Sequence, residues 1–381
     1  MDFAFSPDQE ALAKRIREFT ADRMAPLAAE ADRTGRFRDG LFAELAAQEL
    51  FALGVPTAYG GRGADSVSLG IALEELAAGD LTPCYAVLNA ALIGAILDNN
   101  ATAEQCRRWL PAVAAGESVL ALCLTEPDHG TDAANVEMRA DESGSGWTLH
   151  GVKTSTMLGA YATHGLVFAR TGGAGARGVT AFFTPLDAPG ITRTPLHDLG
   201  SRSGGRSTLT FDGVAVEQDN VIGGPGLGFI QVMRGFDYSR ALIALMAVGA
   251  ASASLREAFD HARVRETFGR PIGMYQGVAF PLVEHATALH MARLVAYEAL
   301  WRKDAGLDHR KEANMAKWWA PKAAVDAAHQ ALLTFGHQAW SEDLPLARRL
   351  RDLIGTELGD GTAGATRLVL ARQLLGRDHA P

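Results

Sequence analysis

The sequence predicts a mainly α-helical fold with a central β-domain, in the chain order α, β, α. Three observations carry this. Apolar residues recur at helical spacing through residues 6–120. Between about Ser118 and Val221 short alternating or β-rich runs take over, broken by glycine turns. From Gly228 the helical period returns in long blocks. The expected domains are 1–118, helical; 119–226, β; and 227–381, a helical bundle.

Each element has a local reason. Ser6-Pro7 with acids following is a helix start, because serine caps free N–H groups and proline fits the first turn. Leu12, Ile16, Phe19 and Arg23 then repeat at helical spacing, as do residues 41–50 and 69–78. Tyr59-Gly-Gly-Arg-Gly63 is a loop. Strands are expected around 147–149, 166–169, 179–183 and 208–211. Turns at 142–146, 171–178 and 188–190 separate them, which reads as a small antiparallel domain. The later helical blocks are 229–267, 274–305, 310–335 and 344–376.

Composition narrows the function. The chain has 381 residues, enough for two or three domains with sizeable cores. A net charge of −8 without a basic run gives nucleic acid no electrostatic footing. The clearest apolar stretch, 241–251, is too short to span a bilayer. The N-terminus lacks a basic region followed by an apolar core. Cys84, Cys106 and Cys123 form neither a CxxC pair nor a disulfide framework, and the histidines show no metal-ligand spacing. A soluble cytoplasmic protein without a structural metal is expected.

Four segments carry candidate chemistry. Asp360 lies between Gly359 and Gly361 and before Thr362, after an apolar helical run. A carboxylate in such a turn is either a solvated turn residue or a positioned base. Residues 124–132, Leu-Thr-Glu-Pro-Asp-His-Gly-Thr-Asp, supply two hydroxyls and free backbone N–H groups, suited to a polar heterocycle edge and a phosphate; the plain alternative is an acidic turn. Residues 265–272, Arg-Glu-Thr-Phe-Gly-Arg-Pro-Ile, end a helix, where Arg265 either meets a phosphate or complements the helix dipole. Residues 237–240, Asp-Tyr-Ser-Arg, read as the charged shoulder of an apolar helix. A literal GxGxxG at 173–178 precedes a strand rather than a helix, so it reads as a hairpin loop and not a dinucleotide fingerprint.

Taken in order, these motifs resemble the acyl-CoA dehydrogenase family over nearly the whole chain. The likeness includes residues 124–132, Gly151-Val-Lys153, Asp212-Gly-Val-Ala-Val before Asn220-Val-Ile-Gly, residues 265–272 with Gln276, and Arg351-Asp352 before Asp360-Gly-Thr362. The resemblance implies an N-terminal helical domain, a β-barrel-like middle domain and a C-terminal four-helix bundle. It implies FAD between the last two, in a homodimer or homotetramer. Leu122, Leu124 and Thr125 would contact the isoalloxazine, and Thr131 would lie at the FAD or acyl-thioester edge. Arg265, Thr267, Phe268 and Gln276 would serve FAD of a neighbouring subunit, with Thr362 near the flavin. Asp237 and Arg240 would flank the CoA groove, and Gly361 would meet the substrate. The implied reaction is α,β-desaturation of an acyl-CoA or acyl-carrier-protein thioester, with Asp360 as base and an electron-transferring flavoprotein as acceptor.

Several positions depart from the family pattern. Asp360 stands where Glu is usual, Ser155 where an aromatic is usual, and Met157 where a hydroxyl stands near flavin N5. Leu333 replaces a glutamine and His337 a glycine, both at flavin-contacting positions. Lys317-Trp-Trp-Ala-Pro-Lys322, His329-Gln330, Lys153-Thr-Ser155, residues 276–281 and residues 351–362 look like the cyclohexanecarboxyl-CoA branch, which also uses Asp. A nitroalkane-oxidase-like enzyme and a flavin-free scaffold are the competing readings.

Overall fold

A computed structural model describes residues 3–381; Met1 and Asp2, which open the N-terminal segment read above, lie outside the described residues. The N-terminal part holds α1 (Pro7–Phe19), α2 (Ala28–Thr34), α3 (Leu41–Ala47), α4 (Ser66–Ala77), α5 (Cys84–Asn100) and α6 (Ala103–Ala114). The Ser6 signal forms a full capping box: its Oγ accepts from Gln9 N at 3.2 Å, and its N–H donates to Gln9 Oε1 at 3.1 Å. Thr102 and Gln105 repeat this at α6. Most of α5 is buried, and it runs through the core.

The middle part holds β1 (Leu120–Cys123), β2 (Arg139–Ser143), β3 (Gly146–Thr156), β4 (His164–Arg170), β5 (Val179–Pro185), β6 (Ile191–Pro195), β7 (Ser207–Glu217) and β8 (Val221–Ile222). They form one sheet in the order β6-β7-β3-β2-β4-β5-β8, with β1 added on β4. The sheet is mixed rather than antiparallel, because β1 and β2 both pair parallel to β4. Its path ends at β6 and β8, and no pairing joins them among the described residues, so it is not a closed barrel. Residues alternate between two cores, as period-2 geometry requires. Leu166 and Phe168 face the helices, whereas Val167 and Ala169 face the β-domain's own core. The GxGxxG is the β4–β5 hairpin loop: Gly175 has φ +79°, and a Cβ on Gly178 would collide with the Gly173 carbonyl.

The C-terminal part holds α7 (Gly228–Val264), a hairpin of β9 (Glu266–Thr267) and β10 (Arg270–Pro271), α8 (Gln276–Asp304), α9 (Arg310–Phe335), α10 (Pro345–Thr356) and α11 (Ala363–Leu375). By length and composition α7 could cross a membrane, yet 78% of its most apolar window is buried inside the protein. Two sequence expectations are corrected here. Residues 237–240 are not a shoulder but lie buried within α7. The block 344–376 is two helices, because Asp360 and Gly361 take φ of +53° and +102° and Thr362 starts a new cap.

Arg351 and Asp352 of α10 join the three parts. Arg351 pairs with Asp32 of α2 and donates to the Leu199 carbonyl at 2.9 Å. Asp352 Oδ1 accepts from Ser201 N at 2.6 Å, and Arg348 lies 3.6 Å from Asp352 and 3.5 Å from Asp80. Burial pushes the Asp352 carboxyl up to about 7 against the pull of Arg348.

Candidate active site

Asp360 occupies the left-handed region, which Asp adopts more readily than most residues. Three donors from two helices hold its turn. The Ser239 hydroxyl of α7 donates to Asp360 Oδ2. Arg240 Nε donates to the Asp360 carbonyl at 3.0 Å. Lys317 Nζ of α9 donates to the Gly361 carbonyl at 3.1 Å. The residue keeps intermediate exposure, yet enough protein crowds the carboxyl that desolvation pushes its pKa up, opposed by Ser239, Lys317 and Arg240.

Asp237 and Arg240 sit beneath this turn. Arg240 Nη1 bonds Asp237 Oδ1 at 3.1 Å, and Arg310 Nε of α9 bonds Asp237 Oδ2 at 2.9 Å. Both Asp237 and Arg240 are buried, and they brace the Asp360 turn. Thr362 Oγ1 accepts from Ala365 N at 3.3 Å and starts α11.

A second buried ion pair builds the 124–132 turn. Glu126 Oε1 accepts from Lys153 Nζ at 2.7 Å and from Met138 N at 2.9 Å, and Oε2 accepts from Glu137 N at 2.6 Å. Lys153 also donates to the Leu124 carbonyl at 2.9 Å. It is fully buried, and desolvation pulls its pKa down to about 8, Glu126 opposing. This pair anchors the strand end, leaving Leu122 and Thr125 half-buried and Thr131 exposed. Residues 126–129 do form a turn, the Glu126 N–H donating to the His129 carbonyl at 3.1 Å, but the Glu126 carboxylate points inward.

Ser155 has φ +55° within an irregularity of the β3–β7 register, and Arg206 Nη1 reaches its Oγ at 3.3 Å. Arg206 is itself held by Asp198. Its guanidinium thus fills part of the space beside Ser155. Met157 is half-buried against Gly204.

Arg265, Thr267, Phe268 and Gln276 lie away from the Asp360 turn, on the exposed β9–β10 hairpin and the start of α8. Phe268 and Gly269 both have positive φ, the conformation of a tight two-residue hairpin turn, and Phe268 is 94% exposed. Leu333 and His337, near the end of α9, are also exposed. The fold thus gathers Asp237, Arg240, Asp360 and Gly361 and leaves the hairpin set on an outer surface of the single chain.

Sequence reasoning gave no role to Ser239, Lys317, Glu126 or Arg206. Lys317 had a readable signal. It interrupts the alanine face Ala313, Ala316, Ala320 and Ala324 of α9, all of them buried.

The N-terminal, middle and C-terminal domains of acyl-CoA dehydrogenase match residues 6–117, 121–214 and 226–375. This chain belongs to the acyl-CoA dehydrogenase family. The probable acyl-CoA dehydrogenase YngJ of Bacillus subtilis is 33% identical over 98% of this chain and all of its own. Butyryl-CoA dehydrogenase from Megasphaera elsdenii superposes with a TM-score of 0.96 at 30% identity, covering 98% of this chain and 100% of its own. The prolyl acyl carrier protein oxidase AnaB superposes with a TM-score of 0.94 at 26% identity, covering 97% and 100%. The chain is an oxidoreductase of the acyl-CoA dehydrogenase type.

Proposed function

We propose that this family member binds FAD and desaturates the α,β-bond of a cyclic or α-branched acyl thioester, with Asp360 as the base. The observation that carries the reading is the Asp360 turn: one carboxylate bonded by the Ser239 hydroxyl, on a backbone held by Arg240 of α7 and Lys317 of α9, with its proton affinity raised by desolvation. Asp360 takes the α-proton, so the rate needs its ionised form and falls on the acid side. When bound, FAD would supply the hydride-accepting chemistry at the β-carbon. The Asp360 backbone N–H donates to the thioester oxygen as enolate charge develops.

The donor set fits FAD. The half-buried Leu122 and Thr125 suit the edge of a flat ring, and the exposed Thr131 hydroxyl suits its phosphates. Arg265 at the exposed hairpin suits a pyrophosphate bound by a second copy of the chain, and a homodimer or homotetramer follows from that role. Arg265→Ala should lose FAD on gel filtration with unchanged circular dichroism, since an exposed substitution usually costs under about 0.5 kcal/mol. Retention of FAD as tight as in the parent protein removes this role. An electron-transferring flavoprotein is the proposed acceptor.

The ring preference rests on length. Asp is shorter than Glu by one C–C bond, about 1.5 Å, so its carboxylate stands further back. A tertiary α-carbon fills that recess, and a misplacement of about 1 Å costs on the order of 10²-fold. Cyclohexanecarboxyl-CoA should therefore reduce the flavin at least about 10²-fold faster than butyryl- or octanoyl-CoA in anaerobic single turnover. Equal rates with straight chains refute the ring preference. The likeness to AnaB favours a second reading, a cyclic acyl group on a carrier protein. The same acyl group loaded on a phosphopantetheinyl carrier protein tests it, and reduction faster than with the CoA ester supports it.

A further inference from the structure

We propose that Lys317 is a positioning residue for the reaction: its buried ammonium holds the Gly361 carbonyl and keeps the Asp360 carboxylate ionised in its turn. This rests on the reading of Asp360 as the base. Lys317 is 1% exposed, and among the described residues its ammonium makes one hydrogen bond, to the Gly361 carbonyl. No carboxylate forms an ion pair with it among the described residues, unlike Lys153, which has Glu126. A buried ammonium without an ion-pair partner costs the fold free energy. Burial accordingly pulls its pKa down to about 8. The charge that gains most from it is Asp360, the residue next to the carbonyl it holds.

The surrounding charges separate into helpers and opponents. Asp360 and Glu357, from the turn after α10, favour the Lys317 ammonium, whereas Arg240 of α7 opposes it. Arg240 is occupied by Asp237, which Arg310 of α9 also engages. Tyr85 of α5 feels the Asp360 charge. Arg367 of α11 lies over the Trp318 ring, 5.7 Å from its centroid. Among the described residues, Lys317 is thus the cation beside Asp360 that has no ion-pair partner of its own.

The sign follows. A positive neighbour favours the carboxylate, so removing it raises the proton affinity of Asp360 further. The acid limb of single-turnover flavin reduction by cyclohexanecarboxyl-CoA should move to higher pH by about one unit in Lys317→Met, a loss of about tenfold along that limb. Lys317→Gln keeps a donor for the Gly361 carbonyl without the charge and should show the same shift. Lys317→Arg restores the charge and should return the limb toward its original place. The carboxyl carbon resonance of Asp360, identified by its loss in Asp360→Asn, should titrate at correspondingly higher pH in the Met and Gln variants. Urea stability should not fall in Lys317→Met, because an apolar chain replaces a desolvated charge. An unmoved limb and an unmoved resonance in Lys317→Gln overturn the proposal. If Asp360→Asn itself leaves the rate unchanged, the base reading fails instead.

Discussion

Asp360→Asn should slow single-turnover flavin reduction by about 10²–10⁴-fold, the usual contribution of a positioned general base. The substitution is a clean probe of chemistry. Asn tolerates the left-handed conformation that Asp360 adopts at φ +53°. Its amide oxygen can still accept from Ser239, and the backbone bond from Arg240 is untouched. FAD content and thermal midpoint should therefore match the parent protein while the proton acceptor is gone. Ser239, the nearest polar side chain, cannot take over, because a hydroxyl is a poor base near neutral pH. A loss smaller than about tenfold would place the base elsewhere, being less than general-base catalysis normally supplies.

Glu126→Ala should destabilise the fold by about 3–5 kcal/mol at pH 7, the range for removing one partner of a buried ion pair. Glu126 is 5% exposed and Lys153 fully buried, so water cannot replace the lost carboxylate. The change also orphans the N–H groups of Glu137 and Met138. The pH dependence has a definite sign. Lys153 titrates near 8 in the fold and near about 10.4 when unfolded, so burial of its charge costs most below the folded value. Without Glu126 the folded value drops further, and part of the lost stability should return as pH rises from 7 toward 10. Urea unfolding at pH 7 and pH 9.5 measures both effects. A loss under about 1 kcal/mol at pH 7 would show that the pair is not what anchors the 124–132 turn.

The places where sequence and structure diverge share a cause. Residues 310–335 were legible as a helix to their last turn, because α9 keeps an alanine-rich face along its length that Lys317 alone of the charged residues between Ala313 and Ala324 interrupts. The break within 344–376 was not, since helical periodicity runs on both sides of it and the interruption is a short glycine-flanked turn. Residues 237–240 looked like a charged shoulder because their counter-charge, Arg310, lies 73 residues from Asp237. The parallel pairing of β1 with β4 was hidden for the same reason, as Leu120 meets His164 with β2 and β3 lying between them in the chain.

The sequence by itself determined the order of helical and β parts, the cap at Ser6, the hairpin loop at 173–178 and the single acid at the 359–362 turn. These depend on spacing within one or two turns of chain, where local geometry decides. Tertiary structure alone decided that Glu126 faces Lys153, that Arg240 braces the Asp360 backbone, and that Ser239 and Lys317 converge on the same turn. The partners of Asp360 lie 120 and 121 residues away in α7, and the partner of Gly361 lies 44 residues away in α9. Charge and hydrogen bonding act through space, so a carboxylate's proton affinity is set by whichever helices fold against it.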